Sequence, residues 1–489
     1  MSPSLILISI LVYFLFLLAI AWYTSRNADN NSYFLGNNAS PWYAVAFGMI
    51  GDSLSGVTFI SLPGSVGAAQ FSYMQLVLGY LLGYFIIAKV LLPIYYKYNL
   101  TSIYSYLNQR FGLATQKTGS FYFLISRLIG AALRLFLAAG VLQYFVFDKW
   151  NVPFFVTVMV IIILILLYTY KGGIKTLVWT DTFQSLLLLL GVVLSIYAIL
   201  TQLDWSVGKA FTEIKNSAYS KIFFFDWKEK SFFVKQFLSG AFVAIVMTGL
   251  DQNMMQKNLS CPSLKDAQKN IYAFSGVLVI VNLFFVSLGA LLFMYMQQKG
   301  IEIPVNAITG KPATDTIFPM LAIEHLGVFA SFVFIVGLTA ATFSSADSVL
   351  TTLTTSFCID FLGFENKTDE KLKVKQRHYT HIGFAVLLFI TILLCKYLNK
   401  TFILDAIFSV AAYTYGPLLG LFSFGLFTKI NVKDKWVPVV CVITPLLSYV
   451  LNENSVTWFN GYKFSYELLV VNGFFTFVGL YLIKRKNEA

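Results

Sequence analysis

The stretch Gly48-Met49-Ile50-Gly51-Asp52-Ser53-Leu54-Ser55-Gly56-Val57-Thr58-Phe59-Ile60-Ser61-Leu62-Pro63-Gly64 decides how this chain is read. It is apolar enough to lie in a membrane, yet its middle holds two glycines, three hydroxyls and an acid. A helix in lipid must satisfy its backbone internally, so an interruption at mid-depth is tolerated only where the freed groups line a cavity or bind something. Small residues alone would serve close helix packing. Packing does not account for Asp52 flanked by Ser53 and Ser55, so the stretch is expected to be a broken transmembrane helix with a binding site at the break.

The rest of the chain supports the membrane setting. Of 489 residues, 57% are hydrophobic and 12% charged, with a mean hydropathy of +0.72. Soluble domains carry about 25% charged residues. Half that charge cannot cover a water-facing surface of this size, which excludes a soluble enzyme, a disordered chain and a nucleic-acid binder despite a net charge of +12. Four cysteines without metal spacing imply neither a disulfide framework nor a zinc site. Windows of about 20 apolar residues fall at 4–23, 43–66, 72–96, 119–147, 152–170, 177–201, 235–256, 271–297, 327–358, 379–398, 403–428, 436–452 and 467–483. The fold class expected is thus all-α, with about 13 transmembrane helices. The first window lacks a basic flank and a clear cleavage site, and is read as a retained helix.

Orientation follows from the loops. With the N-terminus outside, Lys97, Arg110, Lys117, Lys171, Lys175, Lys257, Lys265 and Lys269 fall inside. So do Lys367 to Arg377, Lys429, Lys433, Lys435 and the tail Lys484-Arg485-Lys486. About 20 basic residues then lie inside and about 12 outside, half of the latter in one long loop, which has little vote. The chain is expected to be N-out and C-in.

A second interruption, Met247-Thr248-Gly249-Leu250-Asp251-Gln252-Asn253, sits in the seventh span. Two interrupted segments an odd number of spans apart run in opposite directions, as the first helices of inverted repeats must. The expected layout is one transmembrane domain, 1–489. It has a peripheral first helix and loop (1–40), a five-helix repeat (41–201), an external loop (202–234), a second five-helix repeat (235–430) and two peripheral helices (431–489).

The ninth span carries Ala341, Ser344, Ser345 and Ser348 on one helical face, with Asp347 beside them. Hydroxyls with backbone carbonyls from an unwound segment suit a hard cation such as Na⁺. Back-bonding to their own helix would explain one such serine, but not the cluster. Intramembrane charges are costly and are functional candidates: Asp52, Arg134, Asp181 and Asp347. Lys89 and Arg127, nearer span ends, are read as snorkelling outward. Arg134 has no acid within a helical turn and must pair either with Asp52 across helices or with an anionic substrate group.

Several separated stretches together resemble the sodium:solute symporter family. They are Phe59 to Gly64, Tyr170-Lys171-Gly172-Gly173 through Thr180-Asp181 to Gln184, Thr248-Gly249-Leu250-Asp251-Gln252 through Lys257, the Ser344-Ser345 pair, and Tyr415-Gly416-Pro417 through Phe422. The resemblance implies a LeuT-type fold with two inverted repeats of five helices (5+5), each opening on a broken helix, and solute import driven by Na⁺. By position, the family's common sodium site would use carbonyls of Gly51, Leu54 and Ala341 and hydroxyls of Ser344 and Ser345. Members with a second sodium imply a site at Asp181, Ser344, Asp347 and Ser348. Asp347 stands where a hydroxyl residue is expected, and could serve a second cation, a proton or a nearby base.

Sugar-transporting members carry amides or acids near positions where this chain has Val57, Thr58, Ala244 and Phe408, which argues against a hexose. The substrate set is expected to be Ser53, Ser55, Thr58, Gln75, Arg134 and Phe408. The guanidinium fork of Arg134 suits a carboxylate, so a small organic acid such as a sialic acid or a vitamin-type carboxylate leads. A sodium/sugar or sodium/polyol symporter, or a proton-coupled one, is the alternative. A channel would need a pore ring. A membrane enzyme would need a catalytic set, whereas the three histidines, His325, His378 and His381, lie at or outside span ends, so no enzymatic activity is expected. The expected partners are a small solute and the lipid of a cytoplasmic membrane, with no nucleic acid and no obligatory protein partner.

Overall fold

Every apolar window becomes helix, because a chain that cannot bond water must bond itself. The computed structural model describes residues 3–26, 28–305, 310, 312–398 and 403–485; Lys486 of the basic tail lies outside them. In chain order the main helices are α1 (Pro3–Thr24), α2 (Trp42–Ser53), α3 (Gly56–Ala69), α4 (Tyr73–Ile86), α5 (Leu113–Leu142), α6 (Phe154–Leu203) and α7 (Phe233–Ala244). They continue as α8 (Gln252–Leu259), α9 (Leu264–Lys299), α10 (Gly327–Ser356), α11 (Glu370–Leu398), α12 (Ile403–Phe427), α13 (Val437–Glu453) and α14 (Leu468–Leu482). Among the described residues, β structure is confined to two isolated bridges.

Among the described residues, nine helices are long and apolar enough to cross a bilayer, or eleven when each of two bent pairs counts as one span. The pairs are α2 with α3, bent by 58°, and Phe233–Gly249 with α8, bent by 63°. Helix α6 has 50 residues, about 75 Å at 1.5 Å per residue and more than twice a hydrocarbon core. It is two helices joined at Gly173, whose φ of 51° and ψ of −140° leave the helical region. A Cβ there would stand 2.4 Å from the Tyr33 carbonyl oxygen, so both dihedral and space require glycine. The expected spans 152–170 and 177–201 are its halves, and the last expected span is α14, 15 residues long.

Burial separates centre from rim. In the apolar windows of α10 and α12, 72% of residues are buried, against 28% in α11 and α13 and 33% in α1. The rim helices turn Leu15, Phe16, Val386, Ile390, Leu446 and Leu447 outward, a surface that only lipid suits. Inside, Phe59 of α3 meets Phe285 of α9 and Phe334 of α10 at ring-centroid distances of 6.0 and 5.7 Å. Aromatic packing of this kind joins α3 to its neighbours.

A short helix, Asn30–Leu35, precedes α2 and is capped by Asp29, whose carboxylate accepts from the Ser32 N–H. It is tied to distant elements. Arg377 donates to the Asn30 side chain at 2.7 Å, the Asn30 amide donates to Glu370 at 2.6 Å, and Gln256 donates to the Phe34 carbonyl at 2.7 Å. The Tyr33 hydroxyl is hydrogen-bonded to buried His381.

Candidate functional site

The first bend is made by Leu54 (φ −101°, ψ 63°) and Ser55 (ψ 172°). Departure from helical dihedrals deprives the carbonyls of the preceding turn of their donors. Two features of that turn bear on a cation. The Ser344 hydroxyl of α10 is buried without a hydrogen-bond partner, and a Cβ on Gly51 would stand 2.7 Å from it. Glycine thus leaves a small gap faced by an orphaned hydroxyl. Ala341 and Ser345 are buried on the same stretch of α10, and the Ser345 hydroxyl donates to the Thr342 carbonyl at 3.1 Å. The Gly51 N–H itself donates to the Ser185 hydroxyl at 2.8 Å. Among the described residues no three His, Cys, Asp or Glu side chains gather as a metal set. Carbonyl and hydroxyl oxygens are the donors a hard cation takes, so this group fits sodium.

Beside it lies a charge cluster that revises two readings of the sequence. Lys257, counted above as an inner-loop residue, is fully buried at the end of α8. Its ammonium lies 2.5 Å from Asp52, 2.5 Å from Asp181 and 2.8 Å from the Ser348 hydroxyl. It therefore cannot vote on orientation. The hydropathy window ended at 256 because a lysine follows, whereas the helix runs on to Leu259. Asp52 is thus taken by Lys257 and by the Asn253 amide at 3.1 Å, which removes it as the partner of Arg134. Asp347 turns elsewhere: its carboxylate accepts from the Tyr168 hydroxyl at 2.8 Å and from the Ser348 N–H at 2.5 Å.

Arg127 is the second revision. It is buried, not snorkelling, and lies 2.6 Å from Asp251. Asp251 also accepts from the Tyr415 hydroxyl and, through its other oxygen, from the Met254 N–H at 3.2 Å. One acid therefore caps α8, neutralises α5 and fastens α12, because the bend before it leaves helix-start N–H groups in need of an acceptor.

A cavity of about 80 Å³ opens at the bend. Ser53, Leu54, Ser55, Thr58, Arg134 and Phe408 all line it. Gln75 does not: its amide donates to the Ser231 carbonyl at 2.8 Å and accepts from the Phe224 N–H at 3.2 Å. It secures the loop before α7, a role invisible without knowing where that loop folds. Arg134 Nε is buried without a hydrogen-bond partner. Residues missed by sequence reasoning also line the cavity: Tyr73, Tyr80, Tyr84, Thr248 and Asn282. The tyrosines recur along α4 at intervals of seven and four, a one-face helical spacing that could have flagged them.

These features define a membrane transporter with a site between two bent helices. Residues 33–433 match the sodium:solute symporter family, and the chain belongs to that family. It is 25% identical over 484 residues to the sodium/sialic acid symporter NanT of Aliivibrio fischeri, covering 96% of this chain and 92% of that one. It is 26% identical to the sodium/sialic acid symporter SiaT of Proteus mirabilis, covering 88% and 86%. A solved structure of a Na⁺-coupled sialic acid symporter, in a substrate-bound outward-open state, superposes with a TM-score of 0.82. It has 21% identity and covers 98% of this chain and 97% of that one. The fold is of the LeuT type, and the chain is a sodium-coupled symporter, not an enzyme.

Proposed function

We propose that this chain imports a small carboxylate-bearing solute, of the sialic acid or vitamin-like organic acid class, together with Na⁺ across the cytoplasmic membrane. The observation that carries the substrate class is Arg134: a cavity-lining guanidinium whose Nε has no partner, beside Arg127, which has one. A buried unpaired charge is costly, and a substrate carboxylate offers the bidentate acceptor it lacks. Thr58, Thr248 and Asn282 supply polar contacts for the rest of the solute, while Val57, Ala244 and Phe408 leave a hexose few. That sodium/sialic acid symporters align along nearly the whole chain supports the same class.

Sodium is assigned to the carbonyls of Gly51, Leu54 and Ala341 with the hydroxyls of Ser344 and Ser345. This set joins the α2–α3 bend to α10, and Leu54 belongs to both bend and cavity. Holding the bend fixes Ser53, Ser55 and Thr58 against the solute, a coupling of typically about 1–3 kcal/mol. The N-terminus is assigned outside, the repeats to 41–201 and 235–430, and transport to their relative rocking.

The test is uptake of labelled N-acetylneuraminate and of a panel of monocarboxylates into proteoliposomes under an imposed Na⁺ gradient. Arg134→Ala is expected to weaken solute affinity at least about tenfold, or 1.4 kcal/mol. Unchanged affinity would remove the carboxylate reading. An equal response to a proton gradient without Na⁺ would favour proton coupling.

A further inference from the structure

We infer that the Lys257 ammonium is the resident occupant of the position a second sodium would take, so that the chain couples each solute to one Na⁺. The inference rests on sodium coupling at the α2–α3 bend. An ammonium has three N–H donors, and Lys257 directs all three at oxygens from three elements: Asp52 on α2, Asp181 on α6 and Ser348 on α10. Two of those residues, Asp181 and Ser348, are among the four that the family resemblance implies for a second sodium. A third, Asp347, has both oxygens engaged by Tyr168 and by the Ser348 N–H. The fourth, Ser344, borders Gly51 and belongs to the first cation group.

The lysine does what a bound cation would do. The Asp52 and Asp181 oxygens are each 2.5 Å from one nitrogen, so they stand at most twice that distance apart. Two buried carboxylates that close cannot both stay ionised without a cation between them. A tethered ammonium meets that need at no cost in binding entropy and cannot dissociate, so this position cannot contribute a transported ion. The remaining Asp52 and Asp181 oxygens are both buried without hydrogen-bond partners, so the cluster keeps an excess of acceptor capacity.

The experiment is ²²Na⁺ binding to the purified full-length chain in detergent, without solute. Wild type is expected to bind one Na⁺, Ser344→Ala to lose more than about tenfold in affinity, and Asp181→Asn to lose less than that. Lys257→Gln is expected to bind two, the second lost again on adding Asp181→Asn. Two Na⁺ in wild type, or loss of the single one in Asp181→Asn, overturns the inference. So does a folded Lys257→Gln that binds one. If Lys257→Gln does not fold, the wild-type and Asp181→Asn counts decide alone. Absence of any Na⁺ binding would overturn sodium coupling itself, a separate failure from finding two ions.

Discussion

Arg127 and Arg134 lie two helical turns apart on α5, and their situations differ because one carboxylate reaches only the first. Removing that carboxylate leaves Arg127, like Arg134, without an acid partner. Asp251→Asn is expected to destabilise the protein by about 3–5 kcal/mol, the usual consequence of breaking one side of a buried pair. Thermal unfolding in detergent would register it. Gly51→Ala places a methyl 2.7 Å from the Ser344 hydroxyl and 2.6 Å from that of Ser185. It is expected to weaken Na⁺ binding while leaving the fold intact, read by Na⁺ titration beside a melting curve. At this scale the sequence marks residues that are out of place: Asp52, Arg134 and Asp181 stand out because acids and bases do not belong in apolar runs. It does not say whom they meet, since the partners of Lys257 lie 205 and 76 positions away. Lys257 itself went unmarked because a lysine at the end of a window looks like a loop.

At the scale of the helix, bends were the legible feature. Glycine and hydroxyl clusters at 48–58 and 247–253 are poor lipid-facing material, and both coincide with turns of about 60°. What each bend is fastened to was hidden, because Asp251 does its capping locally but its pairing through α5 and α12. Gly173 is the sharpest case of a backbone requirement. Alanine there would have to adopt a positive φ against the Tyr33 backbone, a strain of about 1–3 kcal/mol. Gly173→Ala is expected to lower folded yield and melting temperature, whereas Gly140→Ala, with nothing within 4 Å of its Cβ, is expected to be neutral. The apolar window 467–483 coincides with α14, whose 15 residues are short for a bilayer.

For the molecule as a whole, the rim helices α1, α11 and α13 face lipid and the centre is α10 and α12. All four cysteines are buried, and burial pushes the Cys261 thiol, outside the spans, up to about 12. The folded protein is therefore expected to resist maleimide at pH 7–8 and to react fully once unfolded, which gives a thiol-labelling assay for the stability predictions above. The helix at Asn30–Leu35 has a different consequence. It is bonded to α8 through Gln256, to α11 through Arg377 and His381, and it backs onto Gly173. In the proposed division α8 and α11 lie in the second repeat and Gly173 in the first, so a movement that parts the repeats must first undo a clasp. Such a clasp governs a barrier, not an affinity. Tyr33→Phe or Asn30→Ala is expected to quicken solute exchange across vesicles while leaving equilibrium binding unchanged, making this short helix the timekeeper of the cycle.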